Sequence, residues 1–145
     1  MIVNKILGNL DNFDLKNRKV DFANVSNDDR VKKVLRVKSN NGVEIGINVE
    51  DEVKDGDILA ILDDSIVVVK ILPTDVLEIS PKNLKEMGII AHNIGNRHTP
   101  AIFQEDLMII EPDSLIEEFL KNQNVDFKKT KRVLKTALRH ASHSH

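Results

Sequence analysis

The chain is predicted to be an α+β protein with three parts. An all-β domain covers residues 1–72, a ferredoxin-like β-α-β-β-α-β domain covers 73–139, and a flexible tail carrying histidines covers 140–145. Three observations lead there. The first half alternates apolar and polar residues at the period of strands, punctuated by Asn-Gly and Asp-Gly turns. After Pro73-Thr74-Asp75 the signals alternate between strand and helix. Four of the five histidines lie either at a helix end (His98) or in the last six residues (His140, His143, His145).

In the first half, Val43, Ile45, Ile47 and Val49 alternate with Glu44, Gly46 and Asn48, the mark of a half-buried strand. Val34-Leu35-Arg36-Val37-Lys38 precedes it, and Asn40-Asn41-Gly42 between them tolerates the positive backbone angles of a tight hairpin. Ile58–Leu62 and Ile66–Leu72 flank Asp63-Asp64-Ser65 as a second hairpin, with Asp55-Gly56 as the turn before it. The resulting β module is expected to keep one face open to solvent.

In the second half, Val76–Ile79 is a short strand. Leu84, Met87, Gly88 and Ala91 recur at helical spacing, with Ser80 as cap and Pro81 at the first helical position. That helix is expected to end near Asn93-Ile94-Gly95, where Gly95 lets the chain turn out. Ala101–Gln104 and Leu107–Ile110 form a hairpin around Glu105-Asp106. Asp113 or Ser114 caps an amphipathic helix over Leu115–Leu120, and Val125-Asp126-Phe127 closes the sheet.

Composition narrows the function. With 41% hydrophobic residues but only five phenylalanines and no tryptophan or tyrosine, the core must be Ile, Leu and Val. A net charge of -2 advertises neither a nucleic-acid nor a membrane partner. Without cysteine there is no disulfide framework and no thiolate metal site, which suits the cytoplasm. The first residues are too interrupted for a signal peptide, and no segment reaches the roughly 20 apolar residues of a membrane span. Enzyme signatures are missing: there is no His-Glu-x-x-His pair, no Gly-x-Ser-x-Gly elbow and no phosphate loop. The basic run Lys128-Lys129-Thr130-Lys131-Arg132 lacks interleaved aromatics and reads as a solvated face rather than a nucleic-acid site.

Neutral imidazole is the commonest nitrogen ligand for nickel, zinc and copper. His98 follows Gly95-Asn96-Arg97 and precedes Thr99-Pro100, an exposed corner. Its plain reading is a surface histidine beside a turn, because one imidazole does not hold a transition metal tightly. It becomes a site if a second copy brings another across a two-fold axis. His143 and His145 flank one serine, so in an extended chain both rings fall on one side, and His140 can close on the same ion. The plain reading there is a charged terminus or a tag, although a tag is usually an unbroken run. His92 lies off the face of His98 and is expected to be a partly buried structural histidine.

Gly95-Asn96-Arg97-His98 with Pro100, after Leu84-x-x-Met87-Gly88 and Ala91, closely resembles the UreE family of urease accessory proteins. The resemblance runs over the whole chain. It implies a nickel metallochaperone, not an enzyme: a homodimer through the second domain, with the two His98 side chains binding one Ni²⁺ near the two-fold axis and His140, His143 and His145 completing or supplementing the site. Zinc or copper would bind in vitro as well. The partners implied are a urease accessory GTPase and the apo-urease complex, met through the first domain. Two departures stand out. Asn93 occupies a position where many relatives carry histidine, so no ligand role passes to His92. Glu111-Pro112-Asp113 lacks a His-x-His pair that some relatives have. The alternatives are a nickel- or zinc-buffering protein, or a peptide-interaction module, neither with a delivery role.

Overall fold

The computed structural model describes residues 1–138. They fall into two compact units. The first is Met1–Thr74 together with Val133–Ala137; the second is Asp75–Arg132, with Leu138.

The first unit holds six strands: β1 (Ile2–Val3), β2 (Lys19–Val25), β3 (Val34–Lys38), β4 (Glu44–Asn48), β5 (Ile58–Ile61) and β6 (Ser65–Ile71). They form two three-stranded sheets, ordered β1-β4-β3 and β2-β6-β5. Both expected hairpins are present, β3 with β4 and β5 with β6. In the first, Gly42 alone takes the left-handed backbone, at φ 92°. Its N–H donates to the Ser39 carbonyl at 2.9 Å, and the Ser39 N–H donates to Val43 at 2.9 Å. The connection is therefore a three-residue loop, with glycine where a side chain would be strained.

The expectation of a solvent-open face fails at β6. Val67, Val69 and Ile71 enter one apolar cluster with Ala23, Val25, Ile45 and Ile47. Ile66 and Val68 enter another with Ile58, covered by Leu10, Phe13 and Phe22. Leu10 and Phe13 on that face come from the segment that precedes β2, a strand the periodicity did not single out. It pairs with β6 in parallel from Lys19↔Ser65 to Val25↔Ile71, and strands in such pairings tend to be covered on both faces.

The second unit runs β7 (Thr74–Ser80), α1 (Leu84–Asn96), β8 (Ala101–Gln104), β9 (Leu107–Ile110), α2 (Ser114–Asn122) and β10 (Asp126–Arg132). Its sheet order is β10-β7-β9-β8, the ferredoxin-like arrangement expected from β-α-β-β-α-β, with β7 and β8 both antiparallel to β9. Leu77, Ile79, Met108 and Ile110 from the sheet pack with Ile90 and Ile94 of α1 and Ile116 and Leu120 of α2. The basic run turns out to be the body of the closing strand. It lies on a sheet edge, where lysine and arginine deter pairing with other chains. Lys128 and Arg132 reach the buried Glu78 at 3.5 and 3.1 Å, Lys129 reaches Glu117 at 3.2 Å and Lys131 reaches Asp75 at 3.5 Å.

Two details of α1 differ from expectation. Its cap is Asn83, not Ser80: the Asn83 side chain accepts from Glu86 N–H at 2.8 Å, while Glu86 reaches back to Lys82 N–H at 3.1 Å. An amide side chain two residues beyond Pro81 captures the free helical N–H that a cap must satisfy. The buried stripe is Met87, Ile90, Ala91 and Ile94 rather than Leu84, Met87, Gly88 and Ala91. Leu84 is 88% exposed and Gly88 lies on the outer face.

Candidate metal centre

The second unit carries His98, and the way α1 ends determines where that ring sits. Gly95 does not turn the chain out; it stays in the helix, with Arg97 as the C-terminal cap at φ -87°. The left-handed residue is His98 itself, at φ 55°. The His98 N–H donates to the Gly95 carbonyl at 3.0 Å and the Thr99 N–H to Ile94 at 3.3 Å. This pair of bonds is a Schellman motif, which satisfies the last helical carbonyls and normally employs glycine or asparagine at the left-handed position. A residue with a Cβ loses roughly 1–2 kcal/mol there.

The ring is exposed, at the corner the sequence predicted. It stands at the carbonyl end of a 13-residue helix, where the aligned peptide dipoles favour positive charge. A rigid helix end thus presents a single imidazole, with a field that welcomes a cation. His92 is exposed too, not partly buried, because it lies opposite the stripe that packs into the core. Asn93 turns its side-chain oxygen inward, buried and without a hydrogen-bond partner among the described residues.

Among the described residues no three of His, Cys, Asp and Glu gather closely enough to hold a metal. His140, His143 and His145 lie outside those residues.

The outer face of α1 has an unusual make-up. Leu84, Gly88, His92 and Gly95 follow one another at helical spacing along it, with Ile89 beside them, and all are exposed. A Cβ built on Gly88 or Gly95 would meet nothing within 4 Å. Nothing in the described chain requires glycine at either position, and each lowers helix stability by roughly 1 kcal/mol relative to alanine. The sequence pattern conceals this face, because the spacing of Leu84 and Gly88 places both in the core. No described helix is long and apolar enough to cross a membrane.

The chain is similar to known proteins along its whole length. Residues 3–72 match the N-terminal domain of the UreE urease accessory protein, and residues 74–145 match its C-terminal domain. Urease accessory protein UreE of Geobacillus kaustophilus is 41% identical over 147 residues, covering 100% of this chain and 99% of its own. The proteins of that name from Bacillus cereus and Staphylococcus epidermidis are 41% and 42% identical with the same coverage.

Proposed function

Because the chain belongs to the UreE urease accessory protein family, a family of accessory proteins rather than enzymes, we propose that it carries Ni²⁺ to urease during assembly of the urease active site. The observation that supports this most is His98. A strained left-handed cap held by an exposed imidazole makes sense where the ring has work that glycine or asparagine cannot do. One imidazole per chain binds weakly, so the site is shared: two copies meet along the outer face of α1, and their His98 rings hold one ion between them. The helix-end dipoles of both copies assist. His140, His143 and His145 add exchangeable ligands.

Release depends on the same chemistry. Imidazole must be neutral to ligate, so protons compete with the metal and affinity falls on acidification. Zinc and copper bind the same ligand type, and nickel loading depends on supply as much as on affinity. Transfer to a urease accessory GTPase and the apo-urease complex proceeds when the partner replaces the tail ligands one at a time while His98 keeps hold. All of this takes place in the cytoplasm, consistent with a chain that has no cysteine.

The test is calorimetric titration of Ni²⁺ near neutral pH, with mass measured in parallel. The intact chain is compared with His98→Ala and with a chain ending at Arg139. One tight ion per dimer, lost with His98 and weakened without the tail, is the expected result. Tight binding indifferent to His98 would place the metal on the tail and favour a buffering role instead.

A further inference from the structure

The first unit has a sheet face to which the carrier reading gives no task. Strands β1, β4 and β3 lie side by side, with Ile2 opposite Gly46 and Gly46 opposite Arg36. Val3, Leu35, Ile45 and Ile47 enter the core, so the residues that alternate with them form the outer face. There Ile2 is 75% exposed and Val34 64%, and Arg36, Lys38 and Glu44 are exposed beside them. A depression of about 420 Å³ lies among Met1, Ile2, Arg36, Lys38, Glu44 and Gly46.

The make-up of this face suits contact with another chain. Glycine inside a strand weakens it and often marks the close approach of a ligand or a second backbone. Nothing in the described chain calls for glycine at 46. Its backbone is not left-handed, and an added Cβ would meet only the Met1 carbonyl oxygen at 3.8 Å and Ile2 Cγ1 at 3.9 Å, both ordinary contacts. The cations point the same way. On β10, Lys128, Lys129, Lys131 and Arg132 each reach a carboxylate. Arg36 and Lys38 make no ion pair with any described residue, although Glu44 stands directly across from Lys38. In a chain of net charge -2 they form a local cationic patch next to exposed aliphatic side chains.

We propose that this face docks an extended segment of a partner protein that carries acidic and aliphatic side chains. An aliphatic side chain lies over Gly46 against Ile2, and a carboxylate meets Arg36. Adjacent strands are about 4.8 Å apart, and side chains two positions apart on an extended segment about 7 Å, so such a pair reaches both places. A second copy fits less well, because two-fold pairing of this face turns the Arg36 and Lys38 cluster toward its own equivalent. The assignment stands whether or not the chain carries nickel.

The probe is a short serine peptide with leucine and glutamate alternating at every second position. It is titrated at low salt into the full chain while backbone amide resonances are followed. Matched peptides carry lysine for glutamate, or serine for leucine. Expected are shifts confined to the residues around Gly46, with binding about tenfold weaker in Arg36→Glu and in Gly46→Val but unchanged in Lys19→Glu, an exposed lysine of the same unit. Arg36→Glu alters only an exposed side chain and carries the test if Gly46→Val impairs folding. Equal weakening in Lys19→Glu, or equally tight binding of the lysine peptide, would overturn the charge match. Undiminished binding of the peptide without leucine would overturn the apolar seat. Absence of shifts around Gly46 would overturn the site. Self-association of the chain that Arg36→Glu or Gly46→Val abolishes would give the face to a second copy and overturn the partner assignment.

Discussion

The two helices of the second unit end in the same motif with different residues. At the end of α2, Asn124 takes the left-handed position at φ 56°, its N–H bonding Lys121 at 3.1 Å while Val125 N–H bonds Leu120 at 3.0 Å. At the end of α1, His98 does so with the same pair of bonds. Asparagine is a conventional choice there; a histidine is several-fold enriched in this region but still pays for its Cβ. Along their lengths the contrast continues. α2 contains no glycine, whereas α1 carries two on an open face. α2 carries neither cost, whereas α1 gives up helix stability at the positions where the proposed metal and second copy would meet it.

The sharpest way to break this comparison is to put glycine at both left-handed positions. His98→Gly should raise thermal stability by about 1 kcal/mol, since the strained Cβ disappears. Nickel affinity should fall about a hundredfold, equivalent to about 2.8 kcal/mol. Asn124→Gly should alter stability by a few tenths of a kcal/mol and leave nickel binding alone. Melting curves and nickel titration on the two variants read both effects. A His98→Gly protein that is less stable and binds nickel normally would mean the ring serves the fold.

A smaller effect is expected along the outer face of α1. Gly88→Ala and Gly95→Ala each remove a helix penalty of roughly 1 kcal/mol without any clash in the chain itself. If a second copy packs against that face, the added methyls hold the helices apart. Sedimentation should then show dimerisation weakened at least tenfold, while the isolated chain becomes harder to unfold. Dimers of unchanged strength would remove this face from the interface.

The sequence made some of these features readable and concealed others for physical reasons. Hairpins announce themselves because their partners are local: Asn41-Gly42 and Asp63–Ser65 mark turns between alternating runs, and both pairs formed. Strand β2 gives no such sign, since its partner β6 lies some 45 residues on and apolar residues occupy both of its faces. The order β-α-β-β-α-β was enough to set the second sheet, because short connections leave few ways to cover one face with two helices. His98 was found by motif, but its backbone was not foreseen: Gly95 is the residue that helix-end rules choose, and it sits three positions too early. The hydrogen bonds from the buried Arg30 guanidinium to the Leu134 and Lys135 carbonyls were invisible for the same reason as β2, because no local pattern connects residues so far apart in sequence.

The smallest predicted difference lies at the opposite ends of the same helices. Asp113 caps α2 by accepting from both Leu115 and Ile116 N–H, at 2.9 and 3.0 Å, and brings a full negative charge to the positive end of the helix. Asn83 caps α1 with one bond, from Glu86 N–H, and no charge of its own. Glu86 partly offsets this, since its side chain bonds Lys82 N–H in return. Asp113→Ala should therefore cost between about 1 and 2 kcal/mol, and Asn83→Ala about 1 kcal/mol or less. Urea denaturation at moderate salt resolves the two, and the gap should narrow as added salt screens the Asp113 charge. If Asn83→Ala proves the costlier change, then α1 depends on its first turn more than α2 does, and the stability given up at Gly88, Gly95 and His98 is being recovered at its start.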